Sequence, residues 1–138
     1  MTFEDKWNAF YSRVNDIAIT LGLYPIEGSA ECVKVGMPLR AEVSQPAGMF
    51  AAPALFGLAD ITATWLVMYN VDEGVFPLAV SSTVNVVANA KTGDAIATAR
   101  IVRAGKSIIV TDTEVHSSDS GTLLGKFITT YSVPRPRE

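Results

Sequence analysis

At 138 residues, 49% of them hydrophobic and 18% charged, the chain has the length and composition of a single globular domain. A formal net charge of −3 excludes the basic face that a nucleic-acid binder carries. The single cysteine, Cys32, excludes an internal disulfide and a cysteine-rich zinc site, and the single histidine, His116, excludes a two-histidine metal site, so no metal is expected.

The first ten residues carry acids and a tryptophan where a signal peptide needs a basic and then an apolar run, and a cytoplasmic protein is expected. Thr2, with Asp5 three positions on, reads as a loose capping box. Phe3, Trp7, Phe10, Val14, Ile17 and Leu21 then recur at helical spacing, and Gly22 stops them. The pattern predicts one amphipathic helix over 3–21, within an N-terminal helical unit of 1–22. Residues 24–29, with Pro25 and Gly28, read as a turn, and 31–39 as a first strand. The stretch 40–50 is irregular and holds Gln45-Pro46-Ala47-Gly48.

Residues 52–69 read as one long helix, with Pro53 in the first turn, where its missing N–H is harmless. Apolar residues occupy every face, and a helix that is apolar all round is buried all round. Between Glu42 and Asp72 the only charged residue is Asp60. The stretch is long enough to span a bilayer. Pro53, Gly57, Thr62, Thr64, the acid itself and flanks without clustered Lys or Arg favour a core helix instead, and no membrane contact is expected. An unpaired carboxylate in such a helix is costly unless it is paired, hydrogen-bonded or protonated. Buried ionisable groups concentrate in functional sites, which makes Asp60 the candidate centre of any chemistry. The alternative is a structural acid that caps a neighbouring loop or bonds a hydroxyl across a subunit interface.

Four strands are predicted next, over 76–88, 94–103, 107–115 and 122–133, and the last puts Leu123, Gly125, Phe127, Thr129, Tyr131 and Val133 on one face. Residues 134–138 are expected to fray. A helix, a strand, a buried helix and then a four-stranded antiparallel meander fit a strongly curved sheet wrapped around one long central helix. This is the α+β hotdog architecture, here a single domain over 1–138 with an extra N-terminal helix. The small residues Ala95, Ala97 and Ala99 suit close approach of the helix to the sheet.

The run V-G-M-P-L-R-A-E-V-S-Q-P-A-G-M-F-A-A-P-A-L-F-G-L-A-D-I-T-A from Val35 to Ala63 resembles the signature of PaaI-like acyl-CoA thioesterases, which include the 4-hydroxybenzoyl-CoA thioesterase type. So do V-S-S-T-V-N-V-V-A-N-A-K-T-G-D, from Val80 to Asp94, and the closing runs A-R-I-V-R-A-G-K-S and G-T-L-L-G-K-F-I-T-T-Y-S-V. The resemblance implies that Asp60 is the nucleophile or general base. It implies that Gln45, fifteen residues earlier, places the water or the thioester, and that the hydroxyl of Thr64 assists one turn later. Ser81, Ser82 or Thr83 on the following strand assist too, with Ser81 nearest by alignment. The implied substrate is an acyl- or aryl-CoA, with coenzyme A as part of the substrate and no separate cofactor. One departure stands out. The family's His-Gly-Gly at the helix start is replaced by Ala51-Ala52-Pro53. The element needed there is a backbone N–H that polarises a carbonyl, which Ala52 can supply without a side chain.

Phe50, Phe56, Trp65 and Met68 point to an apolar pocket. Arg100, Arg103 and Lys106, on one hairpin, fit either the phosphates of coenzyme A or a solvated edge that discourages strand pairing. Ala52 and Asp60 lie about 12 Å apart at ~1.5 Å per helical residue, so one carbonyl cannot touch both within a chain. If both act on one thioester they come from two subunits, with their central helices facing across a two-fold axis. The resemblance implies the same homodimer, often paired into a homotetramer. The expected protein is thus a thioester hydrolase acting on a small or medium acyl- or aryl-CoA. The rival is a non-catalytic hotdog protein that binds an acyl-CoA or apolar ligand.

Overall fold

The computed structural model describes residues 1–134, so all but Pro134 of the tail expected at 134–138 lies outside the described residues. The capping box forms as read: Asp5 N–H donates to Thr2 Oγ1 and Thr2 N–H to Asp5 Oδ2, each at 3.1 Å. The helix that follows does not continue to Leu21. It ends as α1 (Phe3–Tyr11) and resumes as one short turn, α2 (Ile17–Thr20). Short polar side chains between them satisfy backbone groups that a helix would otherwise use. The Ser12 hydroxyl donates to the Ala9 carbonyl at 2.7 Å, and Asp16 caps α2 by accepting the Ala18 N–H at 2.7 Å.

Residues read as a turn form a strand, β1 (Tyr24–Gly28), whose Pro25 is tolerated because the strand lies at a sheet edge. β2 (Cys32–Pro38) pairs with it, and Gly36 there leaves room for the Tyr24 ring, which reaches over it to hydrogen-bond Asp94. A 3₁₀ turn (Ala41–Val43) leads to α3 (Ala52–Met68), then β3 (Leu78–Val86), β4 (Asp94–Ala104), β5 (Ile108–Ser117) and β6 (Leu123–Ser132).

The six strands form one antiparallel sheet in the order β1-β2-β4-β5-β6-β3. Only β4, β5 and β6 form a meander; β3 crosses to the far edge beside β6, which corrects the expected four-stranded run. Alternation along a strand sets its two faces and says nothing of its neighbours, and consecutive strands need not pair. α3 packs on the inner face of the sheet, where Ala95, Ala97 and Ala99 are fully buried beneath it. The hotdog reading therefore holds, with α1 as its added helix. The aromatic side chains of α1 close over one end of α3, with Trp7 stacked on Trp65 at 5.5 Å.

Two surfaces are left open. On α3, Ala54, Leu55, Leu58, Ala59, Thr62, Ala63 and Trp65–Val67 are buried, whereas Phe56, Gly57, Asp60, Ile61, Thr64 and Met68 are only half-buried. These recur three or four apart, so they form a single stripe down the helix. The helix is not buried all round by its own chain. The edge strand β3 is exposed along its length except at Ser82, although it carries Leu78, Val80, Val84 and Val86. Among the described residues no helix is long and apolar enough to cross a membrane.

Candidate active site

Asp60 stands in the middle of the open stripe of α3. Its carboxylate accepts a hydrogen bond from the Tyr131 hydroxyl, Oη to Oδ1 2.8 Å, and the same hydroxyl lies 3.0 Å from the Asp60 carbonyl. Burial pushes the Asp60 carboxyl above its ordinary value of 3.8, and the Tyr131 bond, which favours the charged form, opposes this only in part. Tyr131 is almost wholly buried on the inner face of β6. Its hydroxyl is held protonated, first by burial and then by the charge of Asp60, while the nearby Thr64 side chain acts in the opposite direction. Asp60, Thr64 and Tyr131 therefore form one cluster: a carboxylate, a hydroxyl one helical turn on, and a phenol from the sheet below.

Tyr131 was not a candidate from the sequence. A buried tyrosine needs a partner for its hydroxyl, but that partner is 71 positions away and no local pattern connects them.

The β3 serines divide between the two faces of the sheet. Ser82 stands opposite Thr129, and their hydroxyls hydrogen-bond at 2.8 Å, two residues along β6 from Tyr131. Ser81 stands opposite Thr130, on the outer face. An irregularity between Ala79 and Ser81 shifts the register, so Ser82 rather than Ser81 lies on the Asp60 side.

The start of α3 is fixed by a residue outside the candidate set. Asn89 accepts the Phe50 N–H at 3.0 Å and donates to the Phe50 carbonyl at 2.8 Å, like a strand neighbour made from a side chain. Ala51 N–H, next along, donates to the Val43 carbonyl at 2.8 Å. The exposed Ala52 follows, with its N–H in the first turn, where a helix has no partner of its own. Phe50, read as substrate-binding, is 1% exposed and belongs to the core. It anchors the approach to α3 from within the core. Asn89→Ala removes both bonds and is expected to destabilise the chain by about 1–3 kcal/mol, measured by urea unfolding; an unchanged midpoint would contradict this role.

Gln45 is half-buried in a tight turn. Its side-chain oxygen accepts the Ala47 N–H, and its backbone bonds Met49 and Gly48. Within one chain that oxygen serves its own loop, and no bond joins it to Asp60. Arg100, Arg103 and Lys106 are exposed. Arg103 stands one position from the row Ala104–Ile109–Tyr131, with Lys106 in the turn at that end, while Arg100 lies deeper in the sheet opposite Asp112. His116 is half-buried on β5, 3.8 Å from Glu114 and remote from this cluster. Among the described residues no group of three or more His, Cys, Asp or Glu is placed to hold a metal.

A carboxylate thus stands on the half-buried stripe of a hotdog helix, and the Ala52 N–H lies in the first turn of that helix. The model of the thioesterase superfamily matches residues 48–124, and the chain belongs to that family. Its fold is shared with a thioesterase from Haemophilus influenzae at TM-score 0.90 and 19% identity, covering 100% of this chain and 94% of that one. It is shared with a mutant thioesterase from Pseudomonas aeruginosa at TM-score 0.86 and 21% identity, covering 94% and 92%. The PaaI protein of the E. coli phenylacetic acid degradation operon is similar at TM-score 0.81 and 21% identity, over 97% and 96%. No curated protein matches the chain in sequence.

Proposed function

We propose that the protein hydrolyses acyl-CoA thioesters in the cytoplasm, with Asp60 as the reacting carboxylate of a site completed by a second copy of the chain. The observation that carries this reading is the Asp60–Tyr131–Thr64 cluster on a helix face that its own chain leaves open. Membership of the thioesterase superfamily supports the class of reaction.

The exposed apolar edge of β3 and the open stripe of α3 call for a partner, since long apolar edges are otherwise a hazard. A two-fold pairing brings a second α3 alongside the first. The Ala52 N–H of one chain then meets a carbonyl within reach of Asp60 of the other, which separation along a single helix forbids. Asp60 takes a proton from water as the resulting hydroxide attacks the thioester carbon, or attacks that carbon itself to form an anhydride that water then hydrolyses. In either route negative charge on the carbonyl oxygen is met by the Ala52 N–H. Collapse expels the coenzyme A thiolate, which takes up a proton. The water route leaves the free acid directly, with the proton held on Asp60 released. The anhydride route leaves it once water has cleaved the anhydride and restored Asp60. Gln45 and Thr64 orient water or the carboxylate. Ser82, two residues along β6 from Tyr131, fits this role better than Ser81. Arg103 and Lys106 supply the positive charge that the coenzyme A phosphates need on an acidic protein.

The test is a screen of acyl- and aryl-CoAs with free-thiol detection, in which release of thiol is expected for at least one chain length. Binding of acyl-CoAs without release from any would favour a non-catalytic binder, the reading favoured by the Cβ atom of Ala52 at the helix start, where the family has glycine. The dimer has its own test. Val84→Lys on β3 places a charge on the open edge, and sedimentation is expected to show a folded, inactive monomer. A dimer that remains intact would move the interface elsewhere.

A further inference from the structure

A groove of about 750 Å³ runs between α1, the C-terminal half of α3 and the segment after it. Phe10, Trp65, Met68, Val75 and Phe76 form its apolar walls. Its volume is that of a small-molecule site. The charged side chains at its border, Lys6 and Arg13 against Asp72 and Glu73, balance in number. A small recess lined by Ile61 and Thr64 shares Phe10, Trp65, Met68 and Phe76 with it. Asp60, Thr64 and Met68 follow at intervals of four on one helix face, so the stripe that carries the carboxylate continues into the groove. The aromatic walls are braced: Phe10 meets Trp65 edge-on at 5.2 Å, and Trp7 stacks behind it.

We propose that this groove receives the acyl arm of the substrate, and that the preferred acyl group is uncharged, apolar and about eight to twelve atoms long. The inference rests on the reading of Asp60 as the reacting group. Eight helical residues separate Asp60 from Met68, about 12 Å of axis. An extended chain advances about 3.5 Å for every three bonds, so ~10 bonds cover that span. An acetyl group held at Asp60 does not reach Phe10, Met68 or Phe76, whereas an octanoyl to dodecanoyl chain or an arylalkyl group of that length does. A dicarboxylic arm would bring a second charge among aromatic rings.

Acyl-CoAs of two to twelve carbons titrated into Asp60→Asn, which keeps them intact, test the proposal through the fluorescence of Trp65 in the groove wall. Affinity is expected to rise about fourfold per methylene from butyryl to decanoyl and then level off. Met68→Trp is expected to stop the rise at a shorter chain. Phe76→Asp, at an exposed position, is expected to weaken decanoyl-CoA more than tenfold. Equal affinity for acetyl- and decanoyl-CoA, no binding of decanoyl-CoA, or a rise unchanged in both variants would overturn the groove assignment. A full rise in binding with no thiol released by the wild type would overturn the catalytic reading and leave the groove standing.

Discussion

Replacing Asp60 by asparagine is expected to lower kcat/KM on the best acyl-CoA by about two to four orders of magnitude, the range for loss of a general base or its equivalent. The side chain keeps its shape and still accepts the Tyr131 hydroxyl, so the loss reads chemistry and not collapse. Stability should move the other way. Burial raises the Asp60 pKa in the folded chain, so the folded state holds a proton that the unfolded state has already released. Stability therefore falls as pH rises from the ordinary carboxylate value of 3.8 through the raised folded value, and stays at the lower level above it. Asparagine has no charge to desolvate. The variant is expected to match wild type below that window and to melt at the same or a higher temperature at pH 7, measured by thermal unfolding across pH. A variant that loses activity and also melts well below wild type at pH 7 would make Asp60 a structural acid.

Tyr131→Phe is the second large effect. Activity needs ionised Asp60, so the acid limb of the kcat/KM profile should lie above the ordinary carboxylate value of 3.8. Tyr131 donates to that carboxylate and favours its charged form. Without the hydroxyl, burial acts unopposed and the limb moves to higher pH. A hydrogen bond to a charged group is worth about 1.5–3 kcal/mol, so the limb should move up by about one to two pH units, and turnover on the acid side of it should fall roughly ten- to a hundredfold. Part of that loss should return at high pH, where the carboxylate ionises without help. A merely structural tyrosine would lower activity equally at every pH and leave the limb in place.

The centre of the candidate site was legible because of contrast: one charge in an apolar helix marks itself, and the 52–69 pattern was enough to single out Asp60 as the candidate. Thr64 came from the family resemblance, and helical spacing puts it on the same face as Asp60. What escaped notice depends on contacts across long stretches of chain. Tyr131, on β6, and Asn89, in the connection after β3, act on Asp60 and Phe50 across long stretches of chain, and nothing beside them in sequence announces it. Ser82 and Ser81 exchange faces through a local irregularity in β3, since a one-residue shift sends a side chain to the other face of a sheet. The position of β3 at the edge was equally hidden, because its pattern of valines and hydroxyls suits an edge strand or an inner one. The same edge explains the half-open α3. Apolar composition says a face is covered, but not whether the cover comes from the same chain. The break between α1 and α2 has a local cause that was readable in principle, in Ser12 and the capping Asp16, and the apolar spacing masked it.

A site divided between two chains can be tested by complementation. Ala52→Pro removes the N–H at the start of α3 at a position where proline is tolerated, behind an Ala51 already in an extended conformation. Alone it should be nearly inactive, as should Asp60→Asn. Co-expressed as mixed dimers, each pair carries one intact site, with its N–H from one chain and its carboxylate from the other. The thiol-release rate is then expected to recover to about a quarter of wild type in a random mixture of subunits. A mixture no more active than its two parents would contradict a site shared across the two-fold axis.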